Sequence, residues 1–328
     1  MIHSENSALK ANRPAAGNKK MFRRELRKNG TLFLMLLPGL IVLFFNCYLP
    51  MGGIVMAFER INFRRFAYFG DWVGMQNLEV FFKSTYSFII ARNTLAYNFA
   101  FIIFGTVIAL FFAISLNELN GKFARKFYQT VMFLPYFMSW VVITYIVVGF
   151  LNTNYGLINT CRLSLFNIDP INFYATPKYW PYIIIALNVW KGAGYGSVMY
   201  LAGITNIDQS YYEAARIDGA SKWQQIWRIT LPLLKPMIII LTLLSIGKIF
   251  NTDIGLFYSV PQLGSNGGLV KAVCTIDTFV YTNLMSGNSV SAINLASAAA
   301  FLQSILGFAL VMITNLIVRK INEDYALF

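Results

Sequence analysis

The chain has 328 residues, of which 57% are hydrophobic, 16% aromatic and only 12% charged, with a mean hydropathy of +0.55. Its length would suit two soluble domains, but this composition excludes an ordinary soluble fold and points to an integral membrane protein. The net charge of +13 does not argue for nucleic-acid binding, because most of the basic excess sits in the N-terminal tail and in short loops, where membrane topology accounts for it.

Residues 1–30 are polar and basic and read as a cytoplasmic tail that packs on the inner membrane surface. Apolar runs of the roughly 20 residues needed to span a bilayer follow near 31–58, 93–117, 127–151, 181–206, 234–256 and 293–318. They predict an all-α membrane protein with six transmembrane helices. The first run is too long for a signal-peptide core and lacks a small-residue cleavage site, so it is expected to stay as an anchor. As a straight helix it would measure about 42 Å, so Pro38, Pro50 and Gly52-Gly53 are expected to kink or end it.

Residues 31–92 comprise this helix and an outer segment with Arg60, Arg64, Arg65, Tyr68, Phe69 and Trp72, a mixture suited to interfacial anchoring or to contact with a partner on the outer face. Residues 93–320 form the membrane core, and 321–328 a cytoplasmic C-terminus. Lys and Arg are roughly twice as abundant in the segments assigned inside as in those outside, which places both termini in the cytoplasm.

Cys47, Cys161 and Cys274 have no ligand spacing, and the single histidine, His3, lies in the tail, so a metal centre has no ligand set. Cys161 and Cys274 both fall in predicted outer loops, but sequence does not bring them within bonding reach. Gly247-Lys248-Ile249 lacks the glycine spacing and hydroxyl of a phosphate-binding loop, so this chain does not bind ATP by that route. Asp253 is the lone carboxylate within the predicted spans, one short of the pair that general acid and base work on a polysaccharide would need.

The most strongly patterned polar stretch is 213–236, inside a connection at 207–233. Ser210 and Glu213 have capping-box spacing for one short helix, and Ser221 and Gln224 repeat it for a second. Gly219 stands where the first helix would need positive φ to stop. In the second helix Trp223, Ile226, Trp227 and Thr230 share one stripe, and Lys222, Gln225 and Arg228 face elsewhere. One side suits packing on the membrane domain, the other a soluble partner. Pro232 and Pro236 are expected to break this pattern and open the next apolar run.

Glu213, Ala214, Ala215, Asp218, Gly219, Ala220, Trp227, Ile229, Leu231 and Pro232 together resemble the cytoplasmic coupling motif of permease subunits of binding-protein-dependent ABC importers, with Trp227 where Phe is usual. The segment from Phe133 to Asn159, Pro170 to Phe173, Thr275 to Thr278 and Gly287-Asn288 are similar to permeases for oligosaccharides and uronic-acid-containing saccharides, including alginate importers. The resemblance implies a type I importer permease fold in a bacterial inner membrane and a non-catalytic chain working by alternating access. Its implied partners are a second homologous permease, two ATP-binding subunits carrying ATP and Mg, an extracytoplasmic solute-binding protein and a saccharide. It also implies that the residues from Glu213 to Pro232, Trp223 among them, dock in a cleft on an ATPase.

Within the fourth and fifth spans, Lys191 and Lys248 lie near mid-depth, where a cation costs a few kcal/mol and faces a bundle interior or a wet cavity. Asn188, Trp190, Tyr195, Asn251, Thr252 and Asp253 surround them. This set suits sugar hydroxyls and ring faces, and its surplus positive charge suits an acidic saccharide; a neutral oligosaccharide is the alternative. Each lysine has a second reading, as a donor to backbone carbonyls, a partner of Asp253 or of another subunit, or a snorkelling cation. Gly192, Gly194 and Gly196 either let the fourth span bend or let helices pack closely.

Overall fold

The computed structural model describes residues 28–61, 70–119, 121–285 and 290–321. The basic tail before Lys28, Arg64, Arg65, Tyr68, Phe69, Gly287-Asn288 and the segment after 321 lie outside the described residues. The chain divides into two compact units, Met1–Val55 and Met56–Phe328.

In the first unit, helix α1 (Gly30–Leu43) contains Pro38 and passes through a π turn, Phe44–Tyr48, into Leu49–Met51. The wider turn falls immediately ahead of Pro50, which has no N–H to give to the helical ladder. From Gly52 the chain tightens into a 3-10 turn that runs to Ala57. The prolines and glycines therefore reshape this helix without ending it before Ala57.

The second unit opens with a two-residue antiparallel pairing, β1 (Glu59–Arg60) with β2 (Asp71–Trp72), followed by α2 (Gln76–Lys83). Helix α3 (Thr85–Glu118) starts at Ser84, whose hydroxyl accepts the Tyr86 N–H. Next come α4 (Lys122–Phe137) and α5 (Trp140–Leu151), which meet at 96°. Pro135 closes the first of these, Met138 and Ser139 are extended, and Ser139 caps the second by accepting the Val142 N–H. Helix α6 (Leu157–Phe166) leads to the long α7 (Trp180–Thr205), then to α8 (Gln209–Ile217) and α9 (Lys222–Gln225), which continues through a π turn into α10 (Leu231–Ile246). The chain ends in α11 (Val270–Val273), α12 (Ile276–Met285) and α13 (Val290–Ile321).

Helices α3, α4 and α7 pack closely because small residues sit at their crossings. A Cβ on Gly194 would lie 2.0 Å from the Met132 carbonyl oxygen, and one on Gly196 3.0 Å from Ala109 Cβ. Both glycines are close-packing positions. Gly192 has open space beside it. Two apolar clusters hold the unit together: one gathers Tyr97, Ile143, Trp180, Phe257 and Val260, the other Ala113, Leu116, Tyr200, Ile204 and Leu234.

Four described helices are long and apolar enough to cross a membrane, and five if the bent α4–α5 pair counts as one span. The remaining expected span, α7, has 26 residues. With Asn188, Lys191 and its glycines it is too polar to qualify on composition. The expected span at 234–256 is interrupted, since α10 ends at Ile246 and residues 247–250 form a turn. Lys248 therefore occupies a helix break and not a helix interior. All three cysteines are free thiols.

Candidate functional site

The polar connection after α7 folds as two helices joined by a sharp bend. Asp208, and not Ser210, caps α8: its carboxylate accepts the Ser210 N–H at 2.9 Å, which holds the Asp208 carboxyl below the usual carboxylate range. The expected Ser210–Glu213 capping box is not formed. Sequence reading missed Asp208 because Ser210 offers the same box spacing two residues later. Helix α8 stops in a Schellman arrangement, with Gly219 at φ +77°, its N–H on Arg216 O at 3.1 Å and the Ala220 N–H on Ala215 O at 2.8 Å. One residue later Ser221 and Gln224 form the expected reciprocal box, at 3.3 Å and 2.7 Å.

Three further contacts fix the bend, none of them evident from spacing. Tyr212 on α8 meets the Thr230 hydroxyl at 3.0 Å, the Gln225 amide donates to Ala220 O at 2.9 Å, and the Lys222 ammonium reaches Glu118 at the end of α3 at 2.7 Å. Gln225 and Thr230 are buried, whereas Trp223 and Trp227 are 67% and 57% exposed and pack edge to face at 5.8 Å. The aromatic stripe therefore faces outward, opposite to the sense in which apolar residues pack on a membrane domain. Polar Gln225 and Thr230 turn inward because each finds a partner there. Glu213, Ala214, Asp218, Gly219 and Pro232 are exposed, while Ala215, Ala220 and Leu231 are partly covered. Among the described residues the Glu213 side chain has no hydrogen-bond partner, so it is free for one outside the chain.

The second helix does not break at Pro232. The Leu231 N–H reaches back to Ile226 O, and this π turn lets the helix run unbroken from Lys222 to Ile246. Leu231 and Pro232 are thus positions within a continuous helix that joins the polar bend to an apolar span.

A cavity of about 610 Å3 lies between α3, α7 and α10. Of the candidate path residues, Asn188, Tyr195, Lys248 and Asn251 line it, joined by Asn98 and Ser245, which sequence reading passed over as single polar residues in apolar runs. The Lys248 ammonium is exposed there, with no hydrogen-bond or ion-pair partner among the described residues. The break that presents Lys248 is held by Gln303, which donates to Phe250 O, Asn251 Oδ1 and Asp277 Oδ1, while Asp277 also accepts from Thr252.

Trp190, Lys191 and Asp253 lie outside this cavity. Lys191 donates to the carbonyl oxygens of Pro135, Tyr136 and Met138 around the end of α4, where the Pro135 carbonyl also accepts the Met138 N–H. This matches its second sequence reading, as a donor to backbone carbonyls. Its ammonium lies 5.3 Å from the Trp140 ring centre, and the Trp140 indole N–H donates to Asp253, which also accepts the Gly255 N–H. Tyr195 stacks on Tyr136 at 4.9 Å, linking the cavity wall to this cluster.

A bundle of helices long and apolar enough to cross a membrane, with an exposed, doubly capped helical bend, is the setting in which the comparisons with known proteins fall. The chain belongs to the family described as binding-protein-dependent transport system inner membrane component, whose pattern matches residues 102–325. It is therefore a transmembrane permease subunit of the ABC importer class; ATP hydrolysis in this class belongs to separate subunits. The chain is 31% identical over 318 residues, 93% of its length and 95% of the relative's, to the polygalacturonan/rhamnogalacturonan transport system permease protein YteP of Bacillus subtilis (strain 168). Its fold matches a chain of a bacterial ABC transporter involved in the import of the acidic polysaccharide alginate, with a TM-score of 0.81 and 29% identity over 92% of this chain and 99% of that one. A bacterial alginate ABC transporter in complex with an alginate pentasaccharide-bound periplasmic protein matches with a TM-score of 0.80 and 30% identity, over 91% of this chain and 97% of the other. These matches establish the type I importer permease fold.

Proposed function

We propose that this permease carries an acidic oligo- or polysaccharide of the uronate class through the cavity between α3, α7 and α10. The observation that carries the reading is Lys248, a cation on the cavity wall without a counter-charge, set among the amides of Asn98, Asn188 and Asn251 and the ring of Tyr195. A saccharide carboxylate supplies the missing charge, and the amides suit its hydroxyls. The kinship to permeases named for polygalacturonan and alginate import supports the same substrate class. Trp190, Lys191 and Asp253 do not line the cavity, and Lys191 acts on it by holding the broken end of α4.

In this reading both termini are cytoplasmic, a second homologous permease completes the cavity, and a solute-binding protein delivers the saccharide from outside. Of the two ATP-binding subunits, which carry ATP and Mg, one grips the bend at Glu213, Ala214, Ala215, Asp218, Gly219, Ala220, Trp223, Trp227, Leu231 and Pro232. The exposed tryptophan pair and the unpartnered Glu213 support that docking surface.

Proteoliposomes holding the full importer test the substrate class. Lys248→Gln is expected to slow uptake of an acidic oligosaccharide by about tenfold, which corresponds to roughly 1.4 kcal/mol, and to leave a neutral one of the same length nearly unchanged. Equal losses for both would refute the charge argument and favour a neutral saccharide.

A further inference from the structure

A second cavity, of about 400 Å3, brings together Arg92 near the start of α3, Lys178 just before α7 and Lys271 on α11. These cations are distant in sequence, and among the described residues none has an ion-pair partner. Among the described residues no carboxylate lines the cavity; apart from the three cations and Asn93, its walls are Ala96, Tyr97, Ala272 and the residues Pro177, Pro181 and Ile185.

The site is built around a buried asparagine. Asn93 Oδ1 accepts from Arg92 Nε and Nη2 at 3.3 Å and 2.9 Å, while Asn93 Nδ2 donates to the carbonyl oxygens of Lys271 and Cys274 at 3.2 Å and 3.0 Å. One amide thus ties the Arg92 guanidinium to the backbone that carries Lys271. The Tyr97 hydroxyl donates to Ala272 O at 2.7 Å and braces the same segment. Holding like charges together without a counter-ion is unfavourable in isolation. An anion bound between them removes that cost.

We propose that this cavity binds an anionic phosphodiester, the headgroup of a phospholipid in the outer leaflet. Three observations favour a lipid over a second saccharide station. At 3.6 residues per turn, Arg92, Asn93, Ala96 and Tyr97 occupy one side of α3, and Asn98, Phe101 and Gly105, which line the larger cavity, occupy the other. The apolar walls have few groups for sugar hydroxyls but suit glycerol and the start of acyl chains. Tyr182, four residues after Lys178 in the first turn of α7, is 75% exposed, and an outward-facing aromatic residue of this kind marks the headgroup level of a membrane. The inference rests on the proposed orientation, with these segments outside, and is independent of which saccharide the importer carries.

The intact importer in nanodiscs of phosphatidylcholine containing graded phosphatidylglycerol tests it, with bound lipid counted by native mass spectrometry. Wild type is expected to retain phosphatidylglycerol selectively, with affinity falling about fivefold for each of Arg92→Gln and Lys271→Gln. Arg92→Lys, which keeps the charge, is expected to retain more than Arg92→Gln, and Lys83→Gln, a cation outside the cavity, to behave as wild type. No selective retention by wild type would overturn the proposal, as would retention at the wild-type level in both the Arg92→Gln and Lys271→Gln proteins. Displacement of the lipid by free glycerol phosphate or by an acidic oligosaccharide at equal concentration would also overturn it, by showing a soluble-anion site.

Discussion

Gly219 offers a clean test of whether the shape of the polar bend transmits ATPase motion. Its φ of +77° lies in the left-handed region, and a Cβ built there meets no atom within 4 Å. A substitution therefore strains the backbone without clashing inside this chain. The strain is roughly 1–2 kcal/mol for an ordinary L-residue and less for Asn, which visits this region more readily. The two hydrogen bonds that close the bend, from Gly219 and Ala220, are worth about 1 kcal/mol each. Strain and restraint are thus of one size, and a change of 1–2 kcal/mol shifts the bent population roughly 5- to 30-fold. The assay is ATP hydrolysis by the reconstituted importer, stimulated by loaded binding protein. Stimulation is expected to fall in the order Gly, Asn, Ala, Val at position 219, while basal hydrolysis by the isolated ATP-binding subunits stays constant. If Asn were worse than Ala, side-chain size against a partner would be the controlling factor and the backbone argument would fail. A Val protein with wild-type stimulation would refute it outright.

Other substitutions separate the roles of the remaining groups. Trp223→Ala with Trp227→Ala removes two exposed rings, so it is expected to weaken association of the ATP-binding subunits in pull-down while leaving the thermal midpoint of the isolated permease within error. Lys191→Met removes the ammonium that ties the Tyr136 and Met138 carbonyls to α7, at about 1 kcal/mol for hydrogen bonds that are only partly buried; a lower melting temperature and equal loss of acidic and neutral uptake are expected, in contrast to Lys248→Gln. Gly194→Val drives a side chain into the Met132 carbonyl and is expected to abolish recovery of folded protein in detergent, as read by size-exclusion chromatography, whereas Gly192→Ala, facing open space, is expected to be tolerated.

The bend was legible in the sequence wherever its stability is local. Ser221, Gln224 and Gly219 act on neighbours within five residues, so their spacing alone states what they do. Most contacts that escaped notice have partners remote in sequence, Lys222 with Glu118, Tyr212 with Thr230 and Gln303 with Asp277, whereas the local caps by Asp208 and Gln225 lack a spacing signature of their own. Periodicity left open which way Trp223 and Trp227 face, because an apolar stripe marks a face to be covered without saying whether this chain or another covers it. It also overran at residues 247–250, where side chains remain apolar enough to extend a span while the backbone turns. Lys191 and Lys248 look alike as lone cations in apolar runs. Only the ending of α4 beside one of them and a cavity beside the other tells them apart.

That distinction bears on how the two ends of the proposed machine communicate. From Lys222 to Ile246 the backbone is one helix, and at 1.5 Å per residue its 25 residues reach about 38 Å, enough to join a cytoplasmic face to the middle of a membrane. Its first two turns carry the exposed tryptophan pair, and its last turns carry Leu241, Leu244 and Ser245 on the cavity wall, with Lys248 just beyond. A proline two residues after the π turn of Ile226–Thr230 would ordinarily break such a rod, and the same device accommodates Pro50 after Phe44–Tyr48. Because the π turn keeps the helix continuous, a rotation imposed at Trp223 and Trp227 would be carried through the turn at Pro236 toward the cavity wall. The fixed end is supplied by Gln303 and Asp277, which hold the break at residues 250–252 from α13 and α12. In the proposed function, one long helix pushed at its polar end and pinned beyond its apolar end is sufficient to couple the bend to the surroundings of Lys248.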